Sequence, residues 1–256
     1  MRIRHISLLL CLSLFAVNGQ AAQVKVAAAS DLSFALKEIV ASFQHATGNT
    51  VQLSLGSSGN FYAQILNGAP FEVFLSADVG YPEKLQAAGL AQKANVFIYA
   101  IGKIVVWLPN RSSVDLNKAG LRALADASIH TISIANPEHA PYGAAAVAAM
   151  QHDGIYDAVK AKLVFAENIS QAAQFVQSGA ADAGIIALSL ALNDSMKSAG
   201  RYWEIPSDTY PPLKQAAVLT KHAGPAARAF LEWLARPESQ QVFKRYGFGL
   251  PAGMAR

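Results

Sequence analysis

A chain of 256 residues with 52% apolar and 15% charged side chains can bury a large core and is too apolar for disorder. Its formal net charge of +4 is modest and no run of five Lys or Arg occurs, so neither nucleic acid nor a polybasic membrane surface is indicated as a partner. One cysteine excludes a disulfide framework and any CxxC metal or redox site.

The chain opens Met1-Arg2-Ile3-Arg4-His5, runs apolar from Ile6 to Val17, and continues Asn18-Gly19-Gln20-Ala21-Ala22. A basic start, a short apolar stretch and small residues at its end predict a secretory signal peptide over 1–22, cut after Ala21 or Ala22. The apolar stretch is too short to span a bilayer comfortably. Cys11 lies inside it, and Leu10 is not the small residue a lipoprotein signal places before its cysteine. Loss of Arg2 and Arg4 lowers the net charge from +4 to +2. The expected product is exported, soluble and free of cysteine.

Val24, Val26 and Ala28 then begin a strand. Leu32, Leu36, Ile39, Val40 and Phe43 fall on one face of a helix. Val51, Leu53 and Leu55 alternate as a strand, and Phe61, Ile65 and Leu66 suit a short helix closed by Asn67-Gly68. Residues 72–75 read as a strand leading into Ser76-Ala77-Asp78, and 96–108 as a β-rich run broken by Gly102. The alternation repeats with strands at 131–135, 163–166 and 184–188 and helices at 142–152 and 169–178. A strand at 216–220 precedes two helices, 225–235 and 237–246, each opened by proline. This order predicts an α/β fold of mainly parallel sheets with helices on both faces. Small polar loops in both halves suit two lobes with a ligand cleft at the carboxyl ends of strands.

No catalytic motif emerges. Gly56-Ser57-Ser58-Gly59-Asn60 approaches a nucleophile elbow but ends in Asn60, where that turn needs glycine. Ser58-Gly59-Asn60 has no S-x-x-K or K-T-G to accompany it. The six histidines form no i, i+4 pair, and the adjacency of Glu138-His139 in a turn is weak evidence for catalysis. What recurs instead is a strand entering a small polar turn that opens a helix. This happens at Ala28-Ala29-Ser30-Asp31, at Leu55-Gly56-Ser57-Ser58-Gly59, at Asn136-Pro137-Glu138-His139-Ala140-Pro141-Tyr142-Gly143 and at Ala166-Glu167-Asn168-Ile169-Ser170. Helix starts present unpaired N–H groups and partial positive charge, so several aimed at one point bind an anion without any cation. Each loop alone is what ordinary N-capping produces. Four together favour an anion cleft.

At these residues the sequence resembles the periplasmic molybdate-binding proteins of ABC transporters. The resemblance covers nearly all of the chain beyond the leader. Its most specific pieces are Ala27-Ala28-Ala29-Ser30, Asn67-Gly68-Ala69-Pro70 running to Phe74-Leu75-Ser76-Ala77-Asp78, the Asn136–Gly143 stretch, and Phe243-Lys244-Arg245-Tyr246-Gly247-Phe248, the last a packing motif. It implies a two-lobed periplasmic-binding-protein fold of type II closing on a tetrahedral oxyanion. Ser30 and Ser58 would be hydroxyl donors, with Ser57 the runner-up whose ordinary role is N-capping. Tyr142 and Ile169 would supply backbone N–H groups. Some members add a tyrosine hydroxyl from the strand aligned with Gly184-Ile185-Ile186-Ala187; this chain has Ala187 there. Members without that tyrosine carry Pro-Tyr-Gly, as here, and use a second N–H beside the first serine or threonine, which points to the Asp31 N–H.

The resemblance further implies a monomer in the periplasm that is not an enzyme. It would have no cofactor and no direct cation ligand, with molybdate or tungstate held as the oxyanion. Its partners would be an ABC permease and, through it, the ATPase. Lobe I is expected over 23–103 and 217–256 and lobe II over 104–216, with crossings near 102–105 and 215–217. The Asp31 carboxylate would repel a dianion, so it is expected to turn back and cap the helix at the N–H of Ser33 or Phe34. A binding protein for another small oxyanion or organic acid is the alternative, and an oxyanion-dependent hydrolase is the rival from a different class.

Overall fold

The computed structural model describes residues 21–92 and 96–251. The leader expected over 1–22 therefore lies outside the described residues except for its last two. The first lobe is built from β1 (Gln23–Ala29), α1 (Ser33–Thr47), β2 (Thr50–Gly56), α2 (Ser58–Leu66), β3 (Val73–Ser76), α3 (Gly80–Ala87) and β4 (Phe97–Gly102). The second lobe follows with β5 (Ile104–Pro109), α4 (Leu116–Ala119), β6 (Ile132–Ala135), α5 (Pro141–His152), α6 (Tyr156–Val159), β7 (Leu163–Ala166), α7 (Ile169–Ser178), β8 (Ala183–Ala187), α8 (Leu188–Ala191), α9 (Asp194–Ala199) and β9 (Gly200–Glu204). The chain then returns to the first lobe as β10 (Leu213–Leu219), α10 (Pro225–Leu234) and α11 (Pro237–Arg245).

Each lobe holds one five-stranded sheet, in the orders β2-β1-β3-β10-β4 and β7-β6-β8-β5-β9. In both, two parallel pairings are followed by two antiparallel ones. The parallel part is what strand–helix alternation produces. The antiparallel part comes from the strands adjoining the two crossings. The first crossing is Lys103, between β4 and β5; the second spans 205–212, between β9 and β10. The sequence placed the second at 215–217, inside β10. Proline cannot donate to a ladder, and β10 begins at Leu213, directly after Pro211-Pro212 and upstream of the apolar 216–220 run.

Helix α1 buries Ala35, Leu36, Ile39 and Phe43 against the first sheet and ends at Gly48, whose φ of 72° is the left-handed conformation that glycine adopts without strain. On the same face Phe43 meets Phe230 edge-on at 5.1 Å. Phe243, from the last sequence motif, is fully buried between Tyr99 at 5.5 Å and Phe248 at 5.7 Å. That motif is core. Burial of such rings contributes about 1.5–3 kcal/mol each. The register between β10 and β4 shifts between Gln215 and Ala216, leaving Tyr99 as an extra residue opposite. Bulges of this kind re-aim side chains beside functional sites, and this one lies next to the cleft.

Candidate functional site

The four loops singled out in the sequence follow β1, β2, β6 and β7, all at carboxyl ends of parallel strands and all on the cleft between the lobes. They enclose a small pocket of about 10 Å³ lined by Ala29, Ser30, Asp31, Ser57, Ser58 and Ala77 of the first lobe and by Tyr142 and Ile169 of the second, with neighbouring backbone. All six expected residues meet there. Ala77, from the turn after β3, was not anticipated. No Lys, Arg or His lines it.

The hydroxyls differ in what they already hold. Ser58 Oγ accepts from the Ala77 N–H at 2.9 Å, which fixes the oxygen and leaves its proton to donate. Ser57 Oγ accepts from the Asn60 N–H at 3.3 Å, capping α2, and meets His139 Nδ1 at 3.0 Å. Ser30 Oγ donates to Asn168 Oδ1 at 3.0 Å and accepts from the Ser170 N–H at 3.2 Å. To serve an anion its proton must swing away from Asn168. In α7, Asn168 caps the Gln171 N–H and Ser30 takes that of Ser170, which leaves Ile169 as the first-turn donor facing the pocket. Pro141 at the first position of α5 has no N–H, so Tyr142 supplies the first donor of that helix.

Several of these bonds join the lobes. Besides Ser30 with Asn168 and Ser170, the Gly59 N–H donates to the His139 carbonyl at 2.9 Å, and Ser189 Oγ donates to the Asp31 carbonyl at 2.8 Å. The Ser57–His139 pair belongs to this seam. A hydrolase would need that histidine oriented by a third group, and His139 has no acidic partner among the described residues.

Asp31 departs from expectation. Its side chain caps no helix: neither α1 nor the 3-10 turn Ser30–Leu32 has a side-chain cap. Instead Oδ2 accepts from the Tyr142 hydroxyl at 2.9 Å and from Gln215 Nε2, and Gln215 Nε2 also donates to the Tyr142 oxygen at 2.9 Å. These three side chains, from α5, β10 and the β1 loop, form a buried polar cluster across the lobes. Side-chain donors from α5 and β10 hold the carboxyl in place of the local N–H groups. The sequence left the Tyr142 hydroxyl unassigned and missed Gln215 altogether. The signal was there: Gln215 is the one polar residue among the buried positions of β10.

Burial pushes the Asp31 carboxyl up to about 6, against the lowering effect of its bonds from Gln215 and Tyr142. Burial first, and then the Asp31 charge, push the Tyr142 phenol well above its ordinary range. A carboxyl raised on folding favours the folded state while protonated, so that stability is lost as pH climbs from about 4 through about 6. The shift corresponds to at most about 3 kcal/mol. Urea unfolding at pH 4.5 and pH 7.5 is expected to show the wild-type protein losing stability relative to Asp31→Asn over that interval. A constant difference would contradict the placement of the carboxyl.

Two α/β lobes joined by crossing strands and closed over a small polar pocket define a bilobal solute-binding protein. The sequence matches the family model for bacterial extracellular solute-binding proteins over residues 24–249. It is 44% identical to the molybdate-binding protein ModA of Azotobacter vinelandii over 93% of this chain and 94% of that one, and 41% identical to that of Rhodobacter capsulatus over 91% and 90%. The solved structure of the Azotobacter vinelandii periplasmic molybdate-binding protein superposes with a TM-score of 0.83 at 38% identity, covering 89% of this chain and 99% of that one. The chain belongs to the bacterial extracellular solute-binding protein family, on its ModA-type branch. Its class is transport, not catalysis.

Proposed function

We propose that this chain captures molybdate, and tungstate with it, in the periplasm and delivers it to the permease of an ABC importer. The observation that carries the reading is a pocket bordered by hydroxyls and helix-start N–H groups and by no cation. Ser30 and Ser58 donate hydroxyl protons, while Asp31, Tyr142 and Ile169 donate backbone N–H groups. The relatives' identities of 44% and 41% support molybdate as the anion.

Molybdate and tungstate are fully ionised dianions at neutral pH and only accept hydrogen bonds. Hydrogen phosphate carries a proton that needs an acceptor, and a buried polar group left unpaired is costly. Sulfate is smaller and cannot reach every donor at once. Neutral donors also avoid burying a counter-charge.

Release follows from the same geometry. Hinging at Lys103 and 205–212 separates the lobes. It breaks the bonds of Ser30, Ser57 and Gly59 across the seam and splits the donor set in two. A permease that draws the lobes apart thereby frees the anion, as a monomeric carrier requires. No helix among the described residues is long and apolar enough to cross a membrane.

A ligand that binds the folded state alone stabilises it by about 2.7 kcal/mol at a hundred times its Kd. Thermal unfolding with molybdate or tungstate at that excess is expected to rise by roughly 5–10 °C, and to stay unchanged with equal sulfate or phosphate. A rise with sulfate matching that with molybdate would favour the broader oxyanion reading.

A further inference from the structure

We propose that Asp31 takes up one proton as the cleft closes on its ligand, so that the site binds one dianion together with one proton and carries the carboxyl neutral between Tyr142 and Gln215. The inference rests on the oxyanion reading above and deepens it by naming a second, protonic ligand of the same site.

Two observations carry it. The first is a shortage of donors. Asp31 and Gln215 are wholly buried, and Asp31 Oδ1 and Gln215 Oε1 have no hydrogen-bond partner. The Tyr142 hydroxyl and one Gln215 amide proton are directed at Asp31 Oδ2, the other amide proton goes to the Tyr142 oxygen, and two acceptors are left over. Buried acceptors are ordinarily paired. A proton on the carboxyl converts one acceptor into a donor and relieves the excess.

The second is charge. Asp31 lines the same pocket as Ser30, Ser58 and Ile169. With the carboxyl ionised, a bound dianion would bring three negative charges into one buried space. The side chains that meet Asp31 or act on its charge are neutral or acidic, and α1 and α7, which pack against its turn, bring no ionised group to it. Tyr142 faces it from α5, Gln215 from β10, Ser189 from α8 and Tyr99 from β4, with Asp78 and Tyr210 beyond those tyrosines. No Lys, Arg or His acts on it among the described residues. Like charges at close range in a low-dielectric space disfavour the ionised form. Burial already holds the carboxyl at about 6, and the charge of the arriving dianion raises it further. In the step itself an O–H bond forms at the carboxyl and the proton comes from the solvent buffer; no other bond changes.

The test is calorimetric titration of the full protein with sodium molybdate at pH 7.5 in two non-phosphate buffers of very different ionisation enthalpy. The expected result is a difference in apparent binding enthalpy corresponding to nearly one proton taken up per anion. Across pH 6.5–8.5 the wild-type Kd is expected to weaken by up to tenfold per pH unit, and the Kd of Asp31→Asn, whatever its value, to be flat. Binding heats that are equal in both buffers would overturn the inference while leaving the oxyanion reading intact. Proton uptake that persists in Asp31→Asn would overturn the assignment to this carboxyl. No binding heat at all in wild type would overturn the reading on which the inference rests, and the inference with it.

Discussion

Gly59→Ala is expected to weaken anion binding more than a hundredfold while the ligand-free protein unfolds near the wild-type temperature. Gly59 lies in the first turn of α2, and its N–H donates to the His139 carbonyl of the opposite lobe. A Cβ built there would lie 2.6 Å from that carbonyl oxygen, 2.8 Å from His139 Cβ and 2.6 Å from the Tyr81 hydroxyl. The tyrosine can swing aside. The His139 backbone can retreat only by opening the cleft. Once the lobes stand apart, the donors of Tyr142 and Ile169 no longer reach the anion held by Ser30 and Ser58. Bonds to a charged partner contribute about 1.5–3 kcal/mol each, so losing two gives a hundredfold or more. Because the collision is between lobes, each lobe keeps its own core. Titration calorimetry with thermal unfolding of the same variant separates the two effects. Wild-type affinity in Gly59→Ala would mean that the lobes do not need this approach to hold the ligand.

Ser58→Ala is expected to weaken binding by about 1.5–3 kcal/mol, roughly ten- to 150-fold, through loss of one hydroxyl bond to a charged ligand. The orphaned Ala77 N–H affects free and bound states alike and lowers stability in both. Ser57→Ala is expected to reverse the weighting. Its oxygen is occupied by the Asn60 cap and by His139, so the main cost is about 1 kcal/mol of stability, with a smaller loss of affinity from the seam. Measuring both variants for Kd and for unfolding midpoint tells the donor from the cap. Equal losses of affinity would make Ser57 a direct donor as well.

Much of this was legible in the sequence because the governing interactions are local. The spacing of Leu36, Ile39 and Phe43 marks the buried face of α1, and the four polar loops mark helix starts at strand ends. Those features depend on residues within one turn or one strand of each other. Helix α7 and strand β7 run over the residues their patterns indicate. Strand β9, Gly200–Glu204, gave no signal because Gly200, Arg201 and Glu204 break its apolar alternation, and it forms by pairing with β5. Apolar alternation marks the middle of β10, while its beginning follows two prolines and pairs with β4.

Asp31 shows where local reasoning fails. An aspartate at a helix start is read as a cap from its neighbours alone. Its real partners lie 111 and 184 residues away, and they meet it only after two strands have crossed between lobes. The physical premise behind the expectation, that a bare carboxylate and a dianion cannot share this space, survives the correction. What changes is how the conflict is resolved. The carboxyl stays beside the pocket in a donor-poor cluster, where a proton does what a cap was expected to do.

The most direct measurement is titration calorimetry of the purified protein with molybdate, tungstate, sulfate and phosphate in turn. The expected result is one-to-one binding of molybdate and tungstate with similar affinity and no detectable heat from sulfate or phosphate. Silence with both molybdate and tungstate, or equal binding of sulfate, would contradict it.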